Sequence, residues 1–377
     1  MRIVYAASDQ VLPGRTGGSV HVLEVSRGLA ALGHEVHTVV TGSGPKEEAT
    51  DGFAVHRIGW TPPHRLFRFR ALPSLLALVD RVRPDAVMER YYNFGGEGIR
   101  AAHARGVPSI LEVNSPVVDH PGSVKRLLDR ALLVEPLRHY REGLCLKASA
   151  LVSPLVEIVP EAARGKTERV FWGANVTAFD PRFRSVVLRR ALGVPEGATV
   201  VLFSGSFRPW HGVRILEQAA DLLSARQDLF FLFVGGKRRG TPRGFRGLFL
   251  GSVPYASMPE LVASADIGVA PYDTARLAQL QLGFYWSPLK IFEYMASGIP
   301  TLTIRTPALA EIVRDGEEGL HVREADPEDL AQGIVRLAAD PALRALMGVA
   351  ARTRVAAHYS WDRHCQKLDE VLRRVAA

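Results

Sequence analysis

The chain has 377 residues, more than the ~250–300 at which a single hydrophobic core stops growing, so two domains are expected. Its longest apolar runs, such as LFFLFV at 229–234, are far shorter than the ~20 residues that span a bilayer, which argues against a transmembrane helix. The formal net charge of +8 favours anionic or phosphorylated partners without choosing among them.

Two further compositional features concern the cellular setting. Met1 leads directly into the strand-like RIVYAA with no export signal, so a cytoplasmic protein is expected. Cys145 and Cys365 are too few for a disulfide framework or a zinc site, and each is predicted to be a small helix-packing residue. Arginine-rich segments at 65–70 and 125–141 allow contact with an anionic membrane, although solvated faces of ordinary helices explain them equally well.

Strand-like and helix-like segments alternate along the whole chain, which is the pattern of parallel sheets covered by helices. In the first half the predicted strands lie near 2–6, 35–40, 53–58, 85–89, 108–113, 150–153 and 168–171. A stretch rich in glycine, proline and turn residues at 173–197 interrupts the pattern. In the second half the predicted strands lie near 199–204, 229–234, 247–250, 266–270, 299–304 and 318–322. Helices are predicted near 212–225, 257–264, 288–297, 308–314 and 326–338.

The loop after the first predicted strand ends in Gly17-Gly18 and opens a helix with apolar residues at helical spacing. Glycines let a ligand approach the backbone, and a helix start favours anions, so a phosphate or a sugar hydroxyl could lie against these amides. Such a pair alone is equally consistent with a flexible turn. Its position after the first strand of a doubly wound half favours the ligand.

The second half begins with a strand that leads into FRPWHGV, where Arg208 and His211 precede a helix. Arg208 offers a planar fork of donors for a phosphate, and His211 could donate a hydrogen bond or become cationic. A solvent-facing arginine and a helix-cap histidine are the structural alternatives. Further along, the next strand ends in a glycine pair at 235–236, and the loop at 252–255 has room for a flat base.

The segment SPLKIFEYMASGIP at 287–300 carries the strongest signal. Ser287 and Pro288 suit cap and first-turn positions, so the following amides would face an anion such as a diphosphate. Lys290 adds a positive charge, and Glu293 lies one turn further on the same face, where a carboxylate could accept both hydroxyls of a ribose. An amphipathic helix with a chance Lys–Glu pair is the alternative for this segment taken alone.

Taken together, these segments resemble the retaining family 4 glycosyltransferases of the GT-B fold, glycosyl transferases group 1. The resemblance is carried, in order, by Gly17-Gly18, WGANVTAFDP at 172–181, GSFRPWHGV at 205–213, FVGG at 233–236, LVASADIGVAPY at 261–272 and SPLKIFEYMASGIP. It implies an α/β protein with two facing Rossmann-like doubly wound domains and a cleft between them. The implied parts are an acceptor-binding domain at 1–178, a nucleotide-sugar domain at 179–356 and a helix crossing back at 357–377.

The resemblance also implies roles for individual residues. The residues expected to bind the donor are Gly17, Gly18, Ser206, Arg208, His211, Gly235, Val253, Tyr285, Ser287, Pro288, Leu289, Lys290 and Glu293. Those expected to bind the acceptor are Arg90, Asn114 and His120. Those expected to act in catalysis are Asn114, Arg208, Lys290 and Glu293.

Several positions depart from the family pattern. Tyr285 replaces the first glutamate of the Glu-seven residues-Glu motif, which puts the contact with the donor sugar in doubt. Asn114 replaces a histidine and cannot exchange a proton, and His120 is a candidate substitute. His211 and Ser206 replace a lysine and an arginine, so Arg208 and Lys290 would supply the charge for the diphosphate.

The sequence has no Asp-X-Asp triplet and no ligand cluster with metal spacing, so metal-independent transfer without a cofactor is expected. The predicted function is transfer of a sugar, with retention, from a nucleotide-diphosphate sugar, UDP or GDP by family precedent, to a hydroxyl of an unidentified glycan, glycolipid or small molecule. Two alternatives remain: a non-catalytic binding or assembly subunit of the same fold, and a sugar-nucleotide epimerase. Binding of nucleic acid is not expected, because no recognised motif accompanies the basic charge.

Overall fold

The structure is a computed structural model that describes residues 1–14, 16–59, 68–92, 95–120, 122–123, 127, 131 and 136–377. The chain forms two compact units. Unit 1 consists of Met1–Trp172, Leu282–Ser287 and Trp361–Ala377, and unit 2 consists of Gly173–Gln281 and Pro288–Ser360. Both units are therefore assembled from separate stretches of the chain.

The strands of the described residues are β1 (Arg2–Val11), β2 (Glu35–Thr41), β3 (Glu47–Thr50), β4 (Phe53–Ile58), β5 (Ala86–Arg90), β6 (Ser109–Glu112), β7 (Ala150–Ser153), β8 (Thr167–Arg169), β9 (Thr199–Ser204), β10 (Leu229–Val234), β11 (Gly247–Gly251), β12 (Ile267–Ala270), β13 (Thr301–Ile304) and β14 (Gly319–Val322). The α-helices of the same residues are α1 (Gly17–Ala31), α2 (Leu72–Val82), α3 (Glu97–Arg105), α4 (Pro136–Lys147), α5 (Glu161–Arg164), α6 (Val186–Ala191), α7 (Val213–Leu222), α8 (Met258–Ala263), α9 (Leu289–Ala296), α10 (Pro307–Ile312), α11 (Pro327–Ala339), α12 (Pro341–His358) and α13 (Trp361–Ala376).

Unit 1 contains an eight-stranded sheet in the order β3-β4-β2-β1-β5-β6-β7-β8, in which only the β3–β4 pair is antiparallel. The direction of winding reverses between β1 and β5, so the switch point at which ligand crevices form in such sheets lies there. β3 was not predicted, because its sequence EEAT is polar and largely exposed. The Asp51-Gly52 turn that joins it to β4, with φ of 47° and 83°, is a hairpin signal that the sequence does contain.

Unit 2 contains a six-stranded, wholly parallel sheet in the order β11-β10-β9-β12-β13-β14. Counted from β9, this is the 3-2-1-4-5-6 order of the dinucleotide-binding fold, with its switch point between β9 and β12. Every residue of β9 and β10 is buried, as expected for central strands covered on both faces by helices. All six strands lie within two residues of their predicted positions.

The last helix, α13, belongs to unit 1 and packs on α1. Cys365 is buried there, and a Cβ atom added to Gly28 would lie 2.3 Å from its Sγ, so the two helices approach closely at a glycine. Cys145 is buried in the core of unit 1. The prediction that both cysteines are packing residues is confirmed.

Candidate functional site

Three loops pack backbone against backbone at the switch point of unit 2, and the close contacts occur at glycines. Gly212 has a φ of +69°, and a Cβ atom there would lie 1.5 Å from the carbonyl oxygen of Pro271. Gly235 has a φ of +106°, and its Cβ atom would lie 2.1 Å from the carbonyl oxygen of Gly205. The chain can follow this path only with glycine, and the close packing fixes the loops that surround the start of α9.

Lys290, in the first turn of α9, brings an unpaired cation to these loops. Its side chain is 9% exposed, and its Nζ has no hydrogen-bond partner among the described residues. The Nζ lies 4.1 Å from the centre of the Phe203 ring and 5.3 Å from that of Tyr272, while a Cβ atom on Gly205 would lie 3.1 Å from it. Burial lowers the pKa of Lys290 to about 7, against the attraction of Glu293. Aromatic faces stabilise this cation only partly, so an anion would bind favourably beside it.

The start of α9 has unused donors next to that lysine. The Ile291 and Phe292 amides donate to the Pro288 carbonyl, whereas the Leu289 and Lys290 amides make no hydrogen bond within the described part of the chain. The prediction that Ser287 caps this helix is wrong. Its hydroxyl accepts a hydrogen bond of 2.8 Å from the Trp172 amide inside unit 1, and Pro288, which has no capping group, is the N-cap residue.

Glu293 lies one turn beyond Lys290 and is 6% exposed. Its Oε1 accepts a hydrogen bond of 3.0 Å from the Tyr255 hydroxyl, which comes from the loop after β11. Burial raises the pKa of Glu293 to about 7, although Tyr255 and Lys290 favour its charged form. The lysine and the glutamate therefore both change charge near neutrality, which is typical of residues that await a polar ligand.

His211 is neutral in the ligand-free protein, because burial and the nearby Lys290 and Arg208 lower its pKa to about 3. Its Nδ1 contacts the Ser206 carbonyl, which can only accept, so Nδ1 carries the proton and Nε2 is an acceptor. Of the two roles considered for this ring, hydrogen-bond donation rather than a positive charge is the one favoured in the ligand-free protein. Arg208 is exposed, with its guanidinium 5.8 Å from the centre of the Trp210 ring.

The other predicted donor residues are divided between the units. Ser206 is exposed, and Gly235 and Val253 are half-buried, in loops that follow β9, β10 and β11. Tyr285 belongs to unit 1, where its half-buried ring packs on the core cluster of that unit, and burial with the nearby Asp119 raises its pKa to about 12. Gly17 and Gly18 also belong to unit 1, at the start of α1.

Unit 1 has a pocket of about 150 Å³ at its own switch point. Its lining comes from the ends of β1, β5 and β6 and consists of Asp9, Gln10, Arg90, Tyr91, Tyr92, Asn114 and Ser115. The structure thus brings the predicted acceptor residues Arg90 and Asn114 together. His120 does not line this pocket, and its Nδ1 accepts a hydrogen bond of 3.1 Å from the Gly122 amide. Gly18 packs on Gln10, since a Cβ atom there would lie 2.6 Å from the Gln10 Oε1.

A buried ionic cluster adjoins the pocket. Arg68, 2% exposed, lies 2.8 Å from Glu97, 3.3 Å from Glu89 and 3.9 Å from Asp9. Burial and the neighbouring Glu97 raise the pKa of Glu89 to about 8. Arg68 was counted in the basic segment at 65–70, but its charge is balanced inside this cluster and adds nothing to a membrane-binding surface. Residues 60–67 and most of 124–135 lie outside the described residues.

A second buried group was missed by the sequence reasoning. His21 on α1 lies 2.5 Å from Glu112 on β6, and His364 on α13 completes a set whose ligand atoms all lie within 4.8 Å of one another. Zinc holds its ligands at about 2.0–2.2 Å in a tetrahedron, which separates them by more than 3 Å. The His21–Glu112 distance of 2.5 Å is shorter than the separation of two ligands in such a site, and His21 holds the pKa of Glu112 down at about 2 despite burial. A carboxylate at the end of a buried strand, between the apolar Leu111 and Val113, is the signal that could have revealed this group.

Two parallel α/β units, each with polar groups at its switch point, define a protein of the GT-B class. Residues 198–340 match the family model of the glycosyl transferases group 1, and residues 15–154 match that of glycosyltransferase family 4. The chain belongs to family 4 of the glycosyltransferases, and it has the GT-B fold.

Curated relatives and solved structures agree with this assignment. The chain is 27% identical to the D-inositol 3-phosphate glycosyltransferase of Nocardioides sp., over 98% of this chain and 88% of the relative, and 28% identical to that of Arthrobacter sp., over 94% and 89%. The sucrose-phosphate synthase of Thermosynechococcus elongatus superposes with a TM-score of 0.75 at 19% identity, over 99% of this chain and 98% of that one. HepE of Anabaena, solved in complex with UDP, gives a TM-score of 0.73 at 15% identity, over 99% and 100%. Within the described residues, no helix combines the length and apolar character needed to cross a membrane.

Proposed function

We propose that the protein transfers a sugar from a nucleotide-diphosphate sugar to an acceptor hydroxyl, with the donor held by unit 2 and the acceptor by unit 1. The observation that carries the proposal is the buried, unpaired Nζ of Lys290 beside the free amides of α9, with the Glu293 carboxyl one turn away. A diphosphate supplies the missing charge and acceptors, and a ribose supplies hydroxyls for the carboxylate.

Uridine is the proposed base. Supporting observations are the complexes of HepE with UDP and with UDP-glucose. The relatives named D-inositol 3-phosphate glycosyltransferases suggest an acceptor that carries several hydroxyl groups. Assembly of a polysaccharide, glycolipid or small glycoside in the cytoplasm, with peripheral contact to an anionic membrane through 125–141, remains part of the proposal.

Transfer would proceed with retention and without a metal ion, as the family resemblance implies. Charge that develops on the departing diphosphate is met by the buried Lys290 and the amides at the start of α9, which are fixed donors, and by Arg208, whose exposed guanidinium can reach the diphosphate from the loop after β9. Asn114 cannot accept a proton at neutral pH, so it cannot act as a base. The absence of a base at position 114 is consistent with deprotonation of the acceptor hydroxyl by the departing phosphate, on the same face of the sugar.

The test is thermal stabilisation by UDP, GDP, ADP and dTDP, since a ligand at ~100 times its dissociation constant adds about 2.7 kcal/mol. Lys290→Met should abolish the response to the preferred nucleotide, whereas Lys237→Met, at an exposed lysine of the same unit, should leave it unchanged. If no nucleotide stabilises the wild type, or if Lys290→Met responds normally, the proposed donor site is wrong. Incubation of the sugar nucleotide alone distinguishes an epimerase, which converts it without acceptor, and a non-catalytic subunit would bind it and turn over nothing.

A further inference from the structure

The side-chain amide of Asn114 has a defined orientation. The indole Nε1 of Trp172 lies 3.1 Å from the Oδ1 of Asn114. An indole nitrogen can only donate a hydrogen bond, so the amide atom that faces it must be the oxygen. The Nδ2 group is then directed elsewhere, and it is buried without a hydrogen-bond partner in the part of the chain that the structure describes. Asn114 lines the pocket of unit 1, so it presents a donor there.

Trp172 is itself held from several sides. Its ring stacks on the His21 ring with centroids 4.3 Å apart, and its amide donates to the Ser287 hydroxyl at 2.8 Å. His21 is in turn fixed by the buried Glu112 at 2.5 Å. The indole cannot turn away from Asn114 without breaking these contacts, so the orientation of the amide is built into unit 1.

The same pocket contains complementary groups on Asp9 and Arg90. Asp9 accepts hydrogen bonds from Gln10 and Arg90 on its Oδ2, while its buried Oδ1 lies 3.9 Å from the Arg68 guanidinium and has no hydrogen-bond partner among the described residues. The Nε of Arg90 is likewise buried without one in the described chain. The unused groups are therefore the donors Asn114 Nδ2 and Arg90 Nε and the acceptor Asp9 Oδ1.

A hydroxyl group both donates and accepts hydrogen bonds, so a ring with several hydroxyls can satisfy all three atoms. A phosphate at neutral pH is an acceptor, and it would meet the Asp9 carboxylate, whose charge already balances Arg90. The pocket of about 150 Å³ admits one small ring. We propose that this pocket binds an uncharged polyol or sugar ring of the acceptor, and that Trp172 is the positioning residue that makes Asn114 a donor to it. This inference rests on the proposed glycosyl transfer.

The decisive variant is Asn114→Asp. An aspartate keeps an oxygen for the Trp172 indole, but it replaces the Nδ2 donor with a second acceptor and adds a negative charge to the pocket that Asp9 also lines. The melting temperature of the variant shows whether the fold is retained. Binding is measured by saturation-transfer-difference NMR in the presence of UDP, with glucose and myo-inositol as neutral probes and myo-inositol 1-phosphate as the charged probe. We expect the neutral probes to bind the wild type, and Asn114→Asp to weaken that binding roughly tenfold or more.

Trp172→Phe serves as the matched test of positioning. It keeps an aromatic ring against His21 but removes the indole N–H together with part of the buried bicyclic ring, so neutral-probe affinity should fall, the melting temperature should drop modestly, and the UDP response should stay near the wild-type value. Unchanged affinity in Asn114→Asp, tighter binding of the phosphorylated probe, or no binding of either neutral probe by the wild type would each overturn the inference. If UDP does not stabilise the wild type, the proposed function is refuted instead, so failure of the proposed function can be distinguished from failure of this inference.

Discussion

Replacement of Glu293 by glutamine should change the pH dependence of stability in a defined direction. The glutamine keeps the size of the side chain and an oxygen that accepts the Tyr255 hydroxyl at 3.0 Å. It removes only the ability to ionise. The carboxyl is 6% exposed, and burial raises its pKa from 4.5 to about 7, so its charged form is disfavoured in the folded protein.

The magnitude follows from proton linkage. A folded-state pKa above the unfolded value gives stability that is fully present below about pH 4.5 and is lost as the pH rises through about 7. At 1.36 kcal/mol per pKa unit, the loss in the wild type is about 3 kcal/mol, an order-of-magnitude figure. The glutamine variant lacks this loss. Between about pH 4.5 and about pH 8, the difference in stability should therefore shift by about 3 kcal/mol in favour of Glu293→Gln.

The assay is urea unfolding at a series of pH values, following the transition that UDP shifts, because a chain of two units need not unfold in a single step. Glu260→Gln is the control, since Glu260 is an exposed glutamate in the first turn of α8. The control should show no such pH-dependent shift, and Glu293→Gln should also weaken stabilisation by UDP. Stability curves of wild type and Glu293→Gln that run parallel across this pH range would refute the reasoning.

Three further predictions concern the same unit. Because the pKa of Lys290 is about 7, the affinity for UDP should fall as the pH rises above neutrality, and Lys290→Arg should abolish that fall. The affinity is measured by calorimetry at several pH values, and the same pH dependence in wild type and variant would contradict the prediction. Gly212→Ala should lower the free energy of unfolding by at least about 2 kcal/mol more than Gly240→Ala does. Both glycines have a positive φ, but only a side chain at position 212 would clash with Pro271. Equal melting temperatures of the two variants would count against the close packing. Stabilisation by UDP should survive EDTA, and a response that requires added Mg²⁺ would disprove metal-independent binding of the donor.

Much of the fold was predictable because its signals are local. The strands of unit 2 are short apolar runs bounded by glycine, proline or polar residues, and every one was located. β3 was missed because an edge strand can be polar and exposed, which leaves no apolar pattern to read. The cap at the start of α9 was predicted wrongly because Ser287 satisfies an amide that is distant in sequence rather than the helix that follows it.

The candidate site was predictable in part for the same reason. Lys290 and Glu293 are neighbours on one helix, so their proximity follows from helical spacing. The polarity of Asn114 depends on Trp172, which is 58 residues away in sequence, and no local pattern announces that contact. The pairing of His21 with Glu112 joins a helix to a strand. From the sequence alone, polar residues of these types are expected on the surface, and only the structure shows that both are buried.

The division of unit 1 into three stretches of chain has a consequence for synthesis. Met1–Trp172 is synthesised before unit 2, whereas α13, whose Trp361, His364 and Cys365 are buried in unit 1, is synthesised after it. Unit 2 lies between them, so all of its residues are available before unit 1 can be completed. We expect unit 2 to finish folding before unit 1 during synthesis, and the face of α1 that packs on α13 to stay uncovered until residues 361–377 have emerged. A chain truncated before residue 361 would therefore lack a part of unit 1 rather than a part of unit 2.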